Sequence, residues 1–235
     1  MYIEPTIKNI LSQSWEIFQS NIKAIIIITL IIYIPLNIVL EVLPTDDSME
    51  GIMMYFRAMQ LLEGLFGILA TIAIALLTKA VIENKPISWQ ESLKLAINKW
   101  PLVIGTNLIA GILLVGLFLL LIVPGIIYSF YWYFIIYIVI FSDKWGMQAM
   151  KYSKEVVQNR WWKTLGFAIL FGIITLIVAA AAGIPLIFLP DSLPFLVFGD
   201  LIIDIVVSFF SVLGAVFYLA WDSSKIETPA KSIAN

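Results

Sequence analysis

No charged side chain occurs between residues 101 and 141. One membrane-spanning helix needs about 20 apolar residues to cross a hydrocarbon layer of about 30 Å, so this run is twice the length of a single crossing. The sequence VPG at 123–125 offers a turn inside it, and we read two spans joined there. A water-soluble domain could not cover such a run. Of the 235 residues, 61% are hydrophobic and 13% charged, and mean hydropathy is +0.99, which places the chain in a membrane.

Four further segments have the required length: 22–42, interrupted by Pro35, which is expected to kink it; about 61–82; 164–189, with a Gly183-Ile184-Pro185 break near its end; and 195–221. The expected fold class is all-α integral membrane, with six transmembrane helices paired as three hairpins. Five or seven spans stay open, because a Pro-Gly break also occurs within kinked helices. The first residues, MYIEPTIKNILSQSWEIFQSN, are polar and acidic where a signal peptide is basic and then apolar, so the chain reads as unprocessed.

Charge placement supports six spans. Lys8, Lys23, Lys79, Lys85, Lys94, Lys99, Lys144, Lys151, Lys154, Arg160, Lys163, Lys225 and Lys231 then fall on one side, and only Arg57 on the other. That is the positive-inside pattern. It places both termini in the cytoplasm and the protein in the cell membrane. Glu41, Asp46, Asp47, Glu50, Glu63 and Asp191 fall outside. Trp15, Trp89, Trp100, Trp145, Trp161, Trp162 and Trp221 gather at the cytoplasmic boundary, where an indole prefers the headgroup layer.

The cytoplasmic segments are themselves patterned. Ile7, Ile10, Leu11, Ser14, Trp15 and Phe18 form one helical stripe. Ser88 and Glu91 form a capping box ahead of a stripe of Trp89, Leu93, Ala96, Ile97 and Trp100. Ala149, Met150, Ser153, Val156, Val157 and Trp161 form a third. Each is expected to be a cytoplasmic interfacial amphipathic helix entering a span, giving units of about 1–84, 85–143 and 144–222 with a tail at 223–235. Leu11, Ser14 and Phe18 match Met150, Ser153 and Val157 at one offset; the middle unit aligns as about a turn shorter.

Residues 119–170 carry the Pro124-Gly125 turn, an aromatic span, an amphipathic helix with Ser153, and a basic-aromatic Arg160-Trp161-Trp162 entry. This block resembles the membrane domain fused to glycerophosphodiester phosphodiesterase in some bacteria, and its freestanding relatives; SWEIFQSN at 14–21 is similar to that family's N-terminal elbow. The resemblance implies a polytopic module without phosphodiesterase activity, which belongs to a separate soluble domain.

Function classes narrow by exclusion. Histidine and cysteine are absent, which removes imidazole bases, thiol catalysis, disulfides and the usual zinc sites; no cofactor or metal is implied. A net charge of −2 gives no ground for a nucleic-acid partner. Asp200 and Asp204, four apart, share a helix face with Ser208 and Ser211, and close carboxylates can carry a proton or cation. The paired Tyr-Asp and Gly-x-Gly-Asp motifs of intramembrane aspartyl proteases are missing, since Val197 holds the first glycine position. Counting about 20 residues back from Trp221 puts Asp200 outside the hydrocarbon and Asp204 about 3 Å inside it. Arg57 is expected to pair with Asp204 or Glu63 and pin segment 51–62 over the bundle. Small residues Gly67, Thr71 and Ala75, and Ala168 with Gly172, are expected to pack helices closely. Lys151, Lys154, Arg160 and Lys163 are candidate contacts to anionic lipid. The expected function is a non-catalytic module binding lipids or other membrane proteins, or itself. A small transporter or channel using Asp204 is the alternative, and an intramembrane enzyme the third.

Overall fold

The computed structural model describes residues 6–44, 48–188, 190 and 192–232, with Ile187 and residues 224–232 described through their backbone alone. Asp46, Asp47 and Asp191 lie outside the described residues, as do the side chains of Lys225 and Lys231. Every regular element among the described residues is helical. In order they are α1 (Ile7–Ser20), α2 (Ile22–Glu41), α3 (Met49–Leu62), a π turn (Glu63–Gly67), α4 (Ile68–Ile82), α5 (Trp89–Leu120), α6 (Ile122–Tyr131), α7 (Ile135–Phe141) and α8 (Met147–Val157). A 3₁₀ turn (Gln158–Arg160), α9 (Trp161–Gly183), a second 3₁₀ turn (Ile184–Phe188) and α10 (Leu193–Ser232) complete the chain. Among the described residues six stretches are long and apolar enough to cross a membrane: Ile22–Glu41, Met49–Ile82, Trp89–Leu120, Ile122–Phe141, Met147–Leu186 and Leu193–Ser223.

Local sequence explains the ends. Ser48 and Ser88 accept the backbone N–H of Gly51 and Glu91, capping α3 and α5. The charge-free run breaks at Leu121, whose backbone is extended, two residues before the expected VPG turn. Pro124 then sits in the first turn of α6, where a missing N–H costs nothing. Gly125 lets that turn close on α5, since a Cβ there would meet the Phe118 ring. The break at Gly183 falls where the sequence places it. Segment 51–62, expected to lie over the bundle, instead continues through the π turn into α4.

The largest departure concerns the three amphipathic segments. Residues 89–100 form no separate interfacial helix; they are the first part of α5 and run antiparallel to α4. The Ser92 hydroxyl donates to the Ala73 carbonyl at 2.6 Å, and Trp100 Nε1 donates to the Leu65 carbonyl in the π turn. Asn84, at φ 56°, makes the reversal possible by closing α4 with a left-handed residue, so that Lys85 N–H reaches the Ala80 carbonyl. Gly146, at φ 54° with its N–H on Thr106, does the same before α8. The α8 helix then folds back on α6 and α7. Ser153 donates to the Tyr131 carbonyl and accepts from Phe134 N–H, at the break between those two helices. Eleven residues of α8 and three of the 3₁₀ turn carry the chain back about 22 Å, and Trp161 Nε1 donates to the Ile127 carbonyl. The segments 121–127 and 158–163, expected on opposite faces of the bilayer, therefore lie side by side.

The core surrounds α4 and the C-terminal half of α10. Ile72, Ala73, Ile74 and Ala75 are wholly buried, as are Val212, Ala215, Val216 and Phe217. Phe217 joins rings from three elements: Phe134 at 4.9 Å, Phe167 at 5.2 Å and Trp221 at 4.7 Å between centroids. Where α10 passes α7, a Cβ on Gly214 would collide with the Tyr137 ring. Helix α1 packs on α10 through Trp15 and Phe18 against Phe209.

Ser153→Ala removes a hydroxyl that serves two buried backbone groups, so it should lower stability by about 1–3 kcal/mol in denaturant titrations in detergent. Ser14→Ala, whose hydroxyl returns only to Ile10 of its own helix, should cost under about 1 kcal/mol.

Candidate functional site

The buried serines reveal a repeat that the sequence reading misaligned. Ser14, Ser92 and Ser153 are each fully buried. Six residues after them stand Ser20, Asn98 and Asn159, then Asn21, Lys99 and Arg160, then Ile22, Trp100 and Trp161. The middle unit matches the others without a gap. The Ser88-Glu91 cap stands a turn ahead of the repeating serine, and Ile97, expected on the apolar stripe, is 60% exposed while Ser92 takes the buried face.

The same fold-back shapes a groove. Between α6 and the turn that enters α9 lies a cavity of about 720 Å³. Val123, Ile126 and Ile127 give it an apolar wall, and Asn159, Arg160 and Lys163 a polar rim beside Trp161 and Trp162. It lies where Arg160, at φ −145° and ψ 29°, breaks the helix between α8 and α9. Of the four cations expected to meet lipid, Arg160 and Lys163 line the groove. Lys154 sits over the rings of Tyr128 and Tyr131, and Lys151 is exposed elsewhere.

The expected tryptophan belt divides. Trp15, Trp145 and Trp162 are outward-facing, whereas Trp100 and Trp161 spend their N–H groups on carbonyls and Trp89 is half-buried. Trp221 is not at a surface: it is 1% exposed, its Nε1 donates to Thr164, and Arg160 stacks on it at 5.5 Å. A depth count that begins at Trp221 as a boundary marker therefore loses its origin.

The acidic residues gather at the other end of α10. Asn37, 4% exposed, donates to Asp204 Oδ2 at 2.8 Å, and Glu41 stands near Asp200 one turn along. Tyr33 lies against Gly67, its hydroxyl 3.1 Å from where a Gly67 Cβ would stand. Arg57 is exposed and forms no ion pair with a described carboxylate, so the expected pairing with Asp204 or Glu63 is not made. Asn37 takes that place because it lies on the α2 face that packs against α10; Arg57 projects from α3 away from it. The sequence signal was available: Asn37 is the lone amide in α2. Of the small residues, Ala75 is buried and Thr71 meets Ser211, but Gly172 faces open space.

Asn37→Leu leaves Asp204 without its donor in a half-buried site and should lower stability by about 1–3 kcal/mol. Arg57→Gln should change it by less than about 0.5 kcal/mol, and exchanging Arg57 with Asp204 should show no rescue over the single changes. No family model, no curated protein and no solved structure matches this chain.

Proposed function

We propose that this is a non-catalytic multi-pass membrane protein that binds membrane lipids, with an anionic phospholipid seated between α6 and the 158–163 turn. The observation that carries the reading is the groove's composition. An apolar wall for acyl chains meets a rim with two cations, two amides and two indoles, which is the chemistry of a phosphate-bearing headgroup above its hydrocarbon. Kinship with the phosphodiesterase-fused membrane domain belongs to the same proposal, since Pro124-Gly125, Ser153 and Arg160-Trp161-Trp162 are the residues that build the groove.

The proposed location is the cell membrane, with both termini cytoplasmic. Lys79 and Lys99 both reach the Phe141–Ser142 carbonyls, and Lys144 stacks on Tyr152, which bonds Asp222 near the end of the last span. A cluster of cations at one end is what the positive-inside rule favours in the cytoplasm. The exposed apolar faces of α5 and α9 are open to lipid or to partner membrane proteins, including further copies of the chain.

Native mass spectrometry from mixed bilayers should show retention of anionic over zwitterionic phospholipid. Lys163→Gln should weaken it by about 1 kcal/mol, or about fivefold, and Trp162→Ala should weaken it further. Equal retention of both lipid classes, or retention indifferent to Lys163, would overturn the reading.

A further inference from the structure

A second polar feature runs through the other side of the bundle. On α2, Thr29, Tyr33, Asn37 and Glu41 stand four apart and so share one face. On α10, Asp200, Asp204, Ser208 and Ser211 do nearly the same. The two helices are antiparallel with a fixed register: Glu41 meets Asp200 and Asn37 meets Asp204. Continuing it four for four brings Tyr33 level with Ser208 and Thr29 level with Val212, one residue past Ser211. The third wall is the π turn and α4, where Glu63, Gly67 and Thr71 are again four apart, with Tyr33 against Gly67 and Thr71 at 3.4 Å from Ser211. Three helices thus line a polar seam about 18 Å long, from the acidic end toward the middle of the bundle.

The inner end of the seam holds a polar group with nothing to bind. Thr29 is wholly buried and its Oγ1 has no hydrogen-bond partner. A buried hydroxyl left in that state costs about 1–3 kcal/mol, and it stands on the α2 face that carries Tyr33 and Asn37. An apolar β-branched residue would fill the position without that penalty.

We propose that the seam is the entry half of a proton path, with Asp204 as the group that accepts the proton and Thr29 at its inner end. The carboxylates favour a proton over a metal ion, because Asp200 and Asp204 follow one another along a helix and do not converge. Among the described residues no three acidic side chains meet in a group able to hold a metal ion. In the transfer step a hydronium ion at the acidic end gives its proton to an Asp204 carboxylate oxygen: one O–H bond breaks, one forms, and water leaves. The titratable groups facing Asp204 are Tyr33 from α2, Glu63 from the π turn and Asp200 from α10, with Glu41 of α2 and Tyr55 of α3 beside Asp200. The path is separate from the lipid groove, so either can fail without the other.

The test is the full-length protein in vesicles that hold a pH-sensitive dye, with a potassium diffusion potential set by valinomycin. Wild type should pass protons faster than empty vesicles, at a rate unchanged when choline replaces sodium. Asp204→Asn should reduce the flux about a hundredfold, as expected for loss of a proton-transferring carboxylate. Thr29→Val should lose flux while folding at least as well as wild type, which a purely structural threonine would not do. If Asp204→Asn does not elute as a monodisperse species, Thr29→Val decides alone. Wild-type flux no greater than that of empty vesicles, a requirement for sodium, or full flux in Thr29→Val would each overturn the proposal.

Discussion

Inside a bilayer no water is present to satisfy a backbone carbonyl or N–H, so every interruption of a spanning helix must be answered by the protein itself. Here the answer comes from side chains on the segment that follows. Trp100 reaches the Leu65 carbonyl within the π turn, Ser92 reaches Ala73, and Ser153 bridges the break between α6 and α7 from Tyr131 to Phe134. These bonds hold the amphipathic segments along the preceding helices. The turns at Asn84 and Gly146 then have one direction to go, and the rest of the packing follows.

That constraint produces both polar features. Folding α8 back brings a segment rich in cations and indoles beside the apolar turn after α5, which makes the groove. The π turn sets Gly67 beside Tyr33, and so completes the third wall of the seam. A π turn inside a helix is a frequent companion of function, because its extra residue shifts which side chains face inward. The groove and the seam are separate: Phe217, Phe167 and Trp221 fill the space between α9 and α10 with stacked rings.

The amphipathic stripes show where periodicity succeeds and where it stops. Ala149, Met150, Ser153, Val156 and Val157 were legible as one face and are all buried. What the period cannot say is whether that face meets lipid or protein, since both are apolar. The same ambiguity misplaced Trp221, because an indole near the end of an apolar run can mark an interface or fill a core. The Arg57 expectation failed for a related reason. Counting cations and carboxylates on one side says nothing of which helix face each occupies, and Asn37 already stood opposite Asp204.

The sequence by itself determined the solvent, the six long apolar stretches and most of their breaks, because hydrophobic length and the absence of charge act locally and need no partner. Tertiary structure alone decided that the amphipathic segments fold back along their neighbours, that residues 121–127 meet 158–163, and that Asp204 faces Asn37. Those outcomes rest on pairings such as Ser153 with Tyr131 and Asn37 with Asp204, between residues far apart in the chain. No local period or composition encodes a pairing of that kind; it is set by which arrangement leaves the fewest buried polar groups unanswered.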